Sequence, residues 1–177
     1  MAKRSRPAPD PAPVPADPAA PAVSTPAGAG ADPAPGGDRL IRRHLAFGWW
    51  SLAVFTALGL VLEAAHGLKL GWYLDASAAT RRLSFTLAHA HGTLLGVVHI
   101  AFALSLGRIR LSDVAVARAS FALRAATVLL PLGFLLGGLA FYAGDPGFAI
   151  ALVPPSGALL LIALVMIARA VSSRPRG

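Results

Sequence analysis

Long apolar runs separated by short polar clusters make up most of this chain. A hydrocarbon layer of about 30 Å takes about 20 mostly apolar residues in helix. Four windows meet that length, at about 44–66, 83–106, 120–143 and 147–168. None alternates apolar with polar residues as a barrel strand does, and unpaired backbone groups are costly in lipid, so each window is predicted to be a helix. The expected fold class is all-α: an integral membrane four-helix bundle over 39–171, preceded by a disordered tail.

Composition agrees. Of 177 residues 55% are hydrophobic and 14% charged, and the mean hydropathy of +0.63 is too high for an ordinary soluble domain. Residues 1–38 hold ten of the fifteen prolines and almost no large apolar side chain, so they cannot repay the entropy of ordering. Their Ala-Pro alternation favours an extended tether. Residues 172–177 read as a basic C-terminal tail. There is no cysteine, which rules out disulfides, thiolate metal sites and a thiol nucleophile. The first apolar run follows more than forty residues of tail, and is expected to remain as a helix and not to be removed as a signal.

Charge supplies orientation. Lys3, Arg4, Arg6, Arg39, Arg42 and Arg43 precede the first span; Arg108, Arg110, Arg118 and Arg124 surround the second loop; Arg169, Arg174 and Arg176 follow the last span. Lys69, Arg81 and Arg82 fall on the opposite face. Positive charge collects on the cytoplasmic side, so a multi-pass protein of the cytoplasmic membrane is expected, with N-terminus and C-terminus both inside. The net charge of +8 is then a topology signal. It suits contact with the lipid bilayer's anionic headgroups, and no nucleic-acid motif accompanies it. His44, beside Arg42 and Arg43, is expected at the interface, Arg124 is expected to snorkel to it, and Trp72 and Tyr73 read as interfacial rings of the outer loop.

Close helix approach in lipid uses small residues. Ala88, Gly92 and Gly96 recur at four-residue steps in the second span, and Gly133, Gly137, Ala140 and Gly144 form a stripe in the third. These are candidate seams between the two. Pro131, and Pro154 with Pro155, remove backbone donors and are expected to bend their helices. Ser112 or Asp113 is positioned to start the third helix, and Asp145 to cap the fourth.

The second span carries the run "TLAHAHGTLLGVVH". At about 100° per residue, His99 falls within about 20° of Gly92 and so faces protein, while His89 and His91 point about 200° apart, so that at most one joins a shared site. Glu63 and His66 share a face near the outer end of the first span. Glu63, His66, His89 and His91 therefore form the candidate polar site. A carboxylate with two imidazoles (Glu63, His66 and His91 being the metal candidates) is a ligand set for a transition metal, and the same groups can relay protons. The competing reading is hydrogen bonding between helices. Haem is not expected, because the third and fourth spans contain no histidine and His99 has no evident mate.

At "EAAHGLKLGWYLD", "RRLSFTLAHAHGTLLG" and "DPGFAIALVPPSGALLL" the chain resembles a group of small bacterial four-helix membrane proteins with an HAHG run in the second helix. The likeness covers about 59–161 and implies a cytoplasmic-membrane location without a particular activity. The HAHG run also resembles the histidine-bearing helices of haem-copper oxidases, whose other histidines this chain lacks, so no cofactor is implied. Two functions are expected: a non-enzymatic accessory or structural component of a membrane complex, with other membrane-protein helices as partners, or a metal-handling or proton-handling protein using the Glu/His cluster.

Overall fold

The computed structural model describes residues 35–109 and 111–172. Within them lie α1 (Pro35–Gly67), α2 (Gly71–Leu74), α3 (Ala79–Ser105), α4 (Asp113–Leu139) and α5 (Val153–Ser172). Two 3-10 turns, Ala76–Ala78 and Phe148–Leu152, lead into α3 and α5. Taken with those turns, four helices are long and apolar enough to cross a membrane: Gly37–Gly67, Ala76–Ser105, Asp113–Leu139 and Phe148–Ser172. The fold is that of an all-α, four-span integral membrane protein. Of the tail expected over 1–38, residues 1–34 lie outside the described residues, and 35–38 already belong to α1. The basic tail at 172–177 also lies outside them, apart from Ser172.

Hydropathy marks lipid depth, whereas local chemistry marks helix ends, and the two differ. α1 starts at Pro35, well before residue 44, because proline suits a first turn that needs no N–H partner, and Asp38 there complements the helix dipole. α4 starts at Asp113, where the Ser112 hydroxyl accepts the Ala115 N–H at 3.4 Å. It stops at Leu139, short of 143. The chain then turns through Ala143 (φ 51°) and Gly144 (φ 87°), closed by paired 2.9 Å backbone bonds between Tyr142 and Asp145. Asp145 thus closes a turn and caps no helix. Pro154 and Pro155 stand in the first turn of α5, where a missing N–H costs little, so no mid-helix bend forms there. The Ser156 hydroxyl bonds the carbonyls of Leu152 (2.7 Å) and Val153 (2.9 Å). Pro131 is buried inside α4, which continues through it.

The helices form an open row. α1 packs along α3, α3 along α4, and α4 along α5, while α1 and α5 share no extended contact. One apolar cluster joins α3, α4 and α5 through Phe102, Ala119, Ala122, Leu123 and Ala163. Another joins α1, α2 and α3 through Leu62, Ala65, Tyr73 and Phe85. Tyr73 is therefore packed against protein, whereas Trp72 is exposed.

The small-residue stripes do not meet one another, because α3 has a neighbour on each side. A Cβ on Gly96 would sit 3.0 Å from the Gly48 carbonyl oxygen, and one on Gly92 would overlap the Phe55 ring, so this stripe with buried Ala88 serves α1. Gly133 and Gly137 instead receive Val153 and Ile150, and Ala140 lies past the end of α4 against Gly147. The close α3–α4 approach uses Gly138, where a Cβ would come within 2.8 Å of Ser84 Cβ.

At the end where α3 begins, Arg82 donates to the carbonyls of Tyr73 (2.8 Å) and Asp75 (2.7 Å), and Arg81 to that of Trp72 (3.0 Å). Arg81 also covers the Phe141 ring at 4.5 Å, and the Thr80 hydroxyl donates to the Gly144 carbonyl. These contacts tie α2 and the α4–α5 turn to the first turns of α3.

Candidate functional site

Two polar assemblies result, one inside the helix row and one at its edge. The inner one is built on glycine. A Cβ on Gly48 would lie 2.8 Å from the Gly96 carbonyl oxygen and 3.2 Å from His99 Cβ, so only glycine lets α1 and α3 approach this closely. His44 is one turn from Gly48 and His99 about one turn from Gly96, and their rings meet with Nδ1 atoms 2.7 Å apart. α4 adds Ser120 and Thr127, two turns apart on one face. Ser120 Oγ lies 2.6 Å from His44 Nε2, and Thr127 Oγ1 lies 3.1 Å from His99 Nε2. Phe47 and Phe102 close over the rings at centroid distances of 4.7 and 4.9 Å, and both histidines are fully buried.

The direction of every bond follows from one end of the chain. The Thr127 hydroxyl donates to the Leu123 carbonyl at 2.8 Å, an oxygen that can only accept. Its oxygen therefore accepts from His99 Nε2–H. His99 Nδ1 then carries a lone pair and accepts from His44 Nδ1–H, which leaves His44 Nε2 to accept the Ser120 hydroxyl proton. Both rings are neutral in this arrangement, and among the described residues no buried side-chain nitrogen or oxygen lacks a partner. His99 faces protein as its spacing requires. His44 is buried against protein and is the mate His99 needs. Its neighbours Arg42 and Arg43 concealed this, but the sequence held a signal in the matched pairs His44/Gly48 and Gly96/His99, which run in opposite directions on adjacent helices. Arg124, half-buried, donates to the Ser120 carbonyl at 3.3 Å.

The second assembly is a groove of about 380 Å³ where α1 ends, lined by Glu63, His66 and Thr56 of α1, Thr86 and His89 of α3, and Tyr73 of α2. The His89 ring lies over Gly59, where a Cβ would come within 2.7 Å of its Nδ1. That nitrogen donates to the Phe55 carbonyl at 2.6 Å, so in the neutral ring Nε2 is an acceptor. Glu63 and His66 are exposed at the rim. His91 takes no part. Two residues from His89, it projects from the opposite side of α3, donates from Nδ1 to the Leu87 carbonyl (2.8 Å) and stacks on Phe134 of α4 at 5.1 Å. The structure thus brings together Glu63, His66 and His89 and separates them from His91. Among the described residues no group of three or more His, Cys, Asp or Glu side chains is arranged to hold a metal ion, so the set Glu63, His66 and His91 does not form one.

Comparison with protein-family models, with curated proteins and with solved structures gives no match for this chain.

Proposed function

We propose that this protein is a non-enzymatic structural or accessory component of a complex in the cytoplasmic membrane, with both termini on the cytoplasmic side. The observation that carries the reading is the unequal burial of the spans. Half of the apolar window of α4 and 39% of that of α3 are buried, against 11% for each of α1 and α5. The row thus ends on two helices that each pack along one other span, α1 reaching α4 at the His44–Ser120 contact. On α1 the outward face is in relief: hollows floored by Ala46, Ala53 and Ala57 lie between Trp49, Trp50 and Leu60. Small residues beside large ones suit the interdigitation of another helix. The inner histidines support the same reading, because their hydrogen bonds run from protein to protein and hold three spans in register.

The test is copurification after extraction in mild detergent. The protein is expected to bring defined membrane partners with it. Ala57→Leu, which fills an outward hollow, should release them, while His91→Ala should leave them bound. A chain that stays alone at every detergent strength refutes the proposal. Orientation is checked by single cysteines in this cysteine-free chain: Ser77→Cys should react with an impermeant thiol reagent on intact cells, and Ser112→Cys only after permeabilisation.

A further inference from the structure

The groove between α1 and α3 gathers several hydrogen-bonding groups that are left unused. Elsewhere the helix hydroxyls of Thr93, Ser105, Thr127 and Ser156 bond carbonyls of their own helices. Thr56 and Thr86, which both line the groove, have no hydrogen-bond partner among the described residues. Tyr73 is 6% exposed, and its hydroxyl likewise has no partner. Among the described residues no buried side-chain oxygen is left unpaired, and Tyr73 lines the groove, so that hydroxyl opens on it. The same reasoning brings His89 Nε2, an acceptor, to the groove. Glu63 adds a carboxylate, and no lysine or arginine lines the space.

The formal charge lining the groove is therefore that of a carboxylate, beside hydroxyls and an imidazole nitrogen that can each accept a hydrogen bond, at the end of α1 where a span reaches the headgroup layer. Leu60 and Leu62 supply apolar walls. A volume of about 380 Å³ is at the small end of ligand sites and suits a headgroup better than a whole lipid. We infer that this groove binds an ammonium group carried on an apolar tail, with the Glu63 carboxylate taking the charge and His89 Nε2 and the Tyr73 hydroxyl accepting its N–H protons. The inference rests on the chain being embedded in a membrane and not on its being an accessory subunit, so failure of the copurification test leaves it standing.

The full chain, purified in a neutral detergent near pH 7.5, is titrated with dodecylamine and with dodecanol, which has the same tail and no charge, by calorimetry. Dodecylamine should bind at least ten-fold more tightly. Glu63→Gln should remove that preference and Tyr73→Phe should reduce it several-fold. His91→Ala, outside the groove, should keep it. Melting followed by circular dichroism shows whether each variant is folded; if Glu63→Gln fails to fold, Tyr73→Phe carries the test. Equal binding of amine and alcohol, or a preference that survives both groove changes, overturns the proposal. Mass spectrometry of co-extracted lipid then separates the sources. Phosphatidylethanolamine retained by the wild type and lost in Glu63→Gln identifies a membrane lipid, and amine binding without retained lipid identifies a free long-chain amine.

Discussion

Replacing His99 by leucine removes two hydrogen bonds between helices, to His44 at 2.7 Å and to Thr127 at 3.1 Å. Each is worth about 0.6–1.7 kcal/mol in a membrane protein. The change also strands the His44 Nδ1–H in a fully buried position, at about 1–3 kcal/mol. Thr127 loses little, because its own proton already goes to the Leu123 carbonyl. His99→Leu should therefore destabilise the fold by about 3–5 kcal/mol, and His44→Leu by a similar amount. The double variant is the informative one. With both rings gone no nitrogen is stranded, and Ser120 can turn its hydroxyl to a carbonyl of its own helix. Its cost should fall about 2–3 kcal/mol short of the sum of the singles. Unfolding in mixed micelles by increasing fractions of denaturing detergent, followed by helical circular dichroism, measures all three. Additivity within about 0.5 kcal/mol would show that the rings do not act as one assembly.

Gly48→Ala should cost about 1–3 kcal/mol by forcing α1 and α3 apart, whereas Gly107→Ala, with nothing within 4 Å of its added Cβ, should stay within about 0.5 kcal/mol in the same assay. Arg82→Ala frees the carbonyls of Tyr73 and Asp75, and faster amide hydrogen exchange over residues 73–78 with α4 unchanged is the expected result. The Asp75 carboxyl is held below its ordinary range chiefly by the Ser77 backbone N–H, 2.9 Å away. Its contribution is thus present above the ordinary carboxylate range and lost as pH falls through the lowered folded value. The Ala76–Ala78 turn should loosen only in acid, and loss of Ser77 amide protection, taken relative to the intrinsic exchange rate at each pH, already at neutral pH would contradict this.

The four spans were legible because lipid imposes a length and a composition that no shorter signal can imitate. Their ends were less so: Pro35, Ser112 and the Ala143–Gly144 turn act through caps and dihedral angles that hydropathy does not register. Angular spacing placed His99 against protein and separated His89 from His91. It could not choose partners, since a stripe such as Gly92/Gly96 fits either neighbour of a central helix. His44 was hidden because charge at Arg42 and Arg43 indicates a boundary while saying nothing about the ring one residue on, which the Gly48–Gly96 approach carries inside.

The spatial order of the row repeats the order of synthesis, so each span leaving the ribosome finds its neighbour already in the bilayer and none has to cross another. After two long spans have been delivered, the paired imidazoles still lack the hydroxyls of Ser120 and Thr127. α4 supplies both together, so the polar assembly needs nothing from α5.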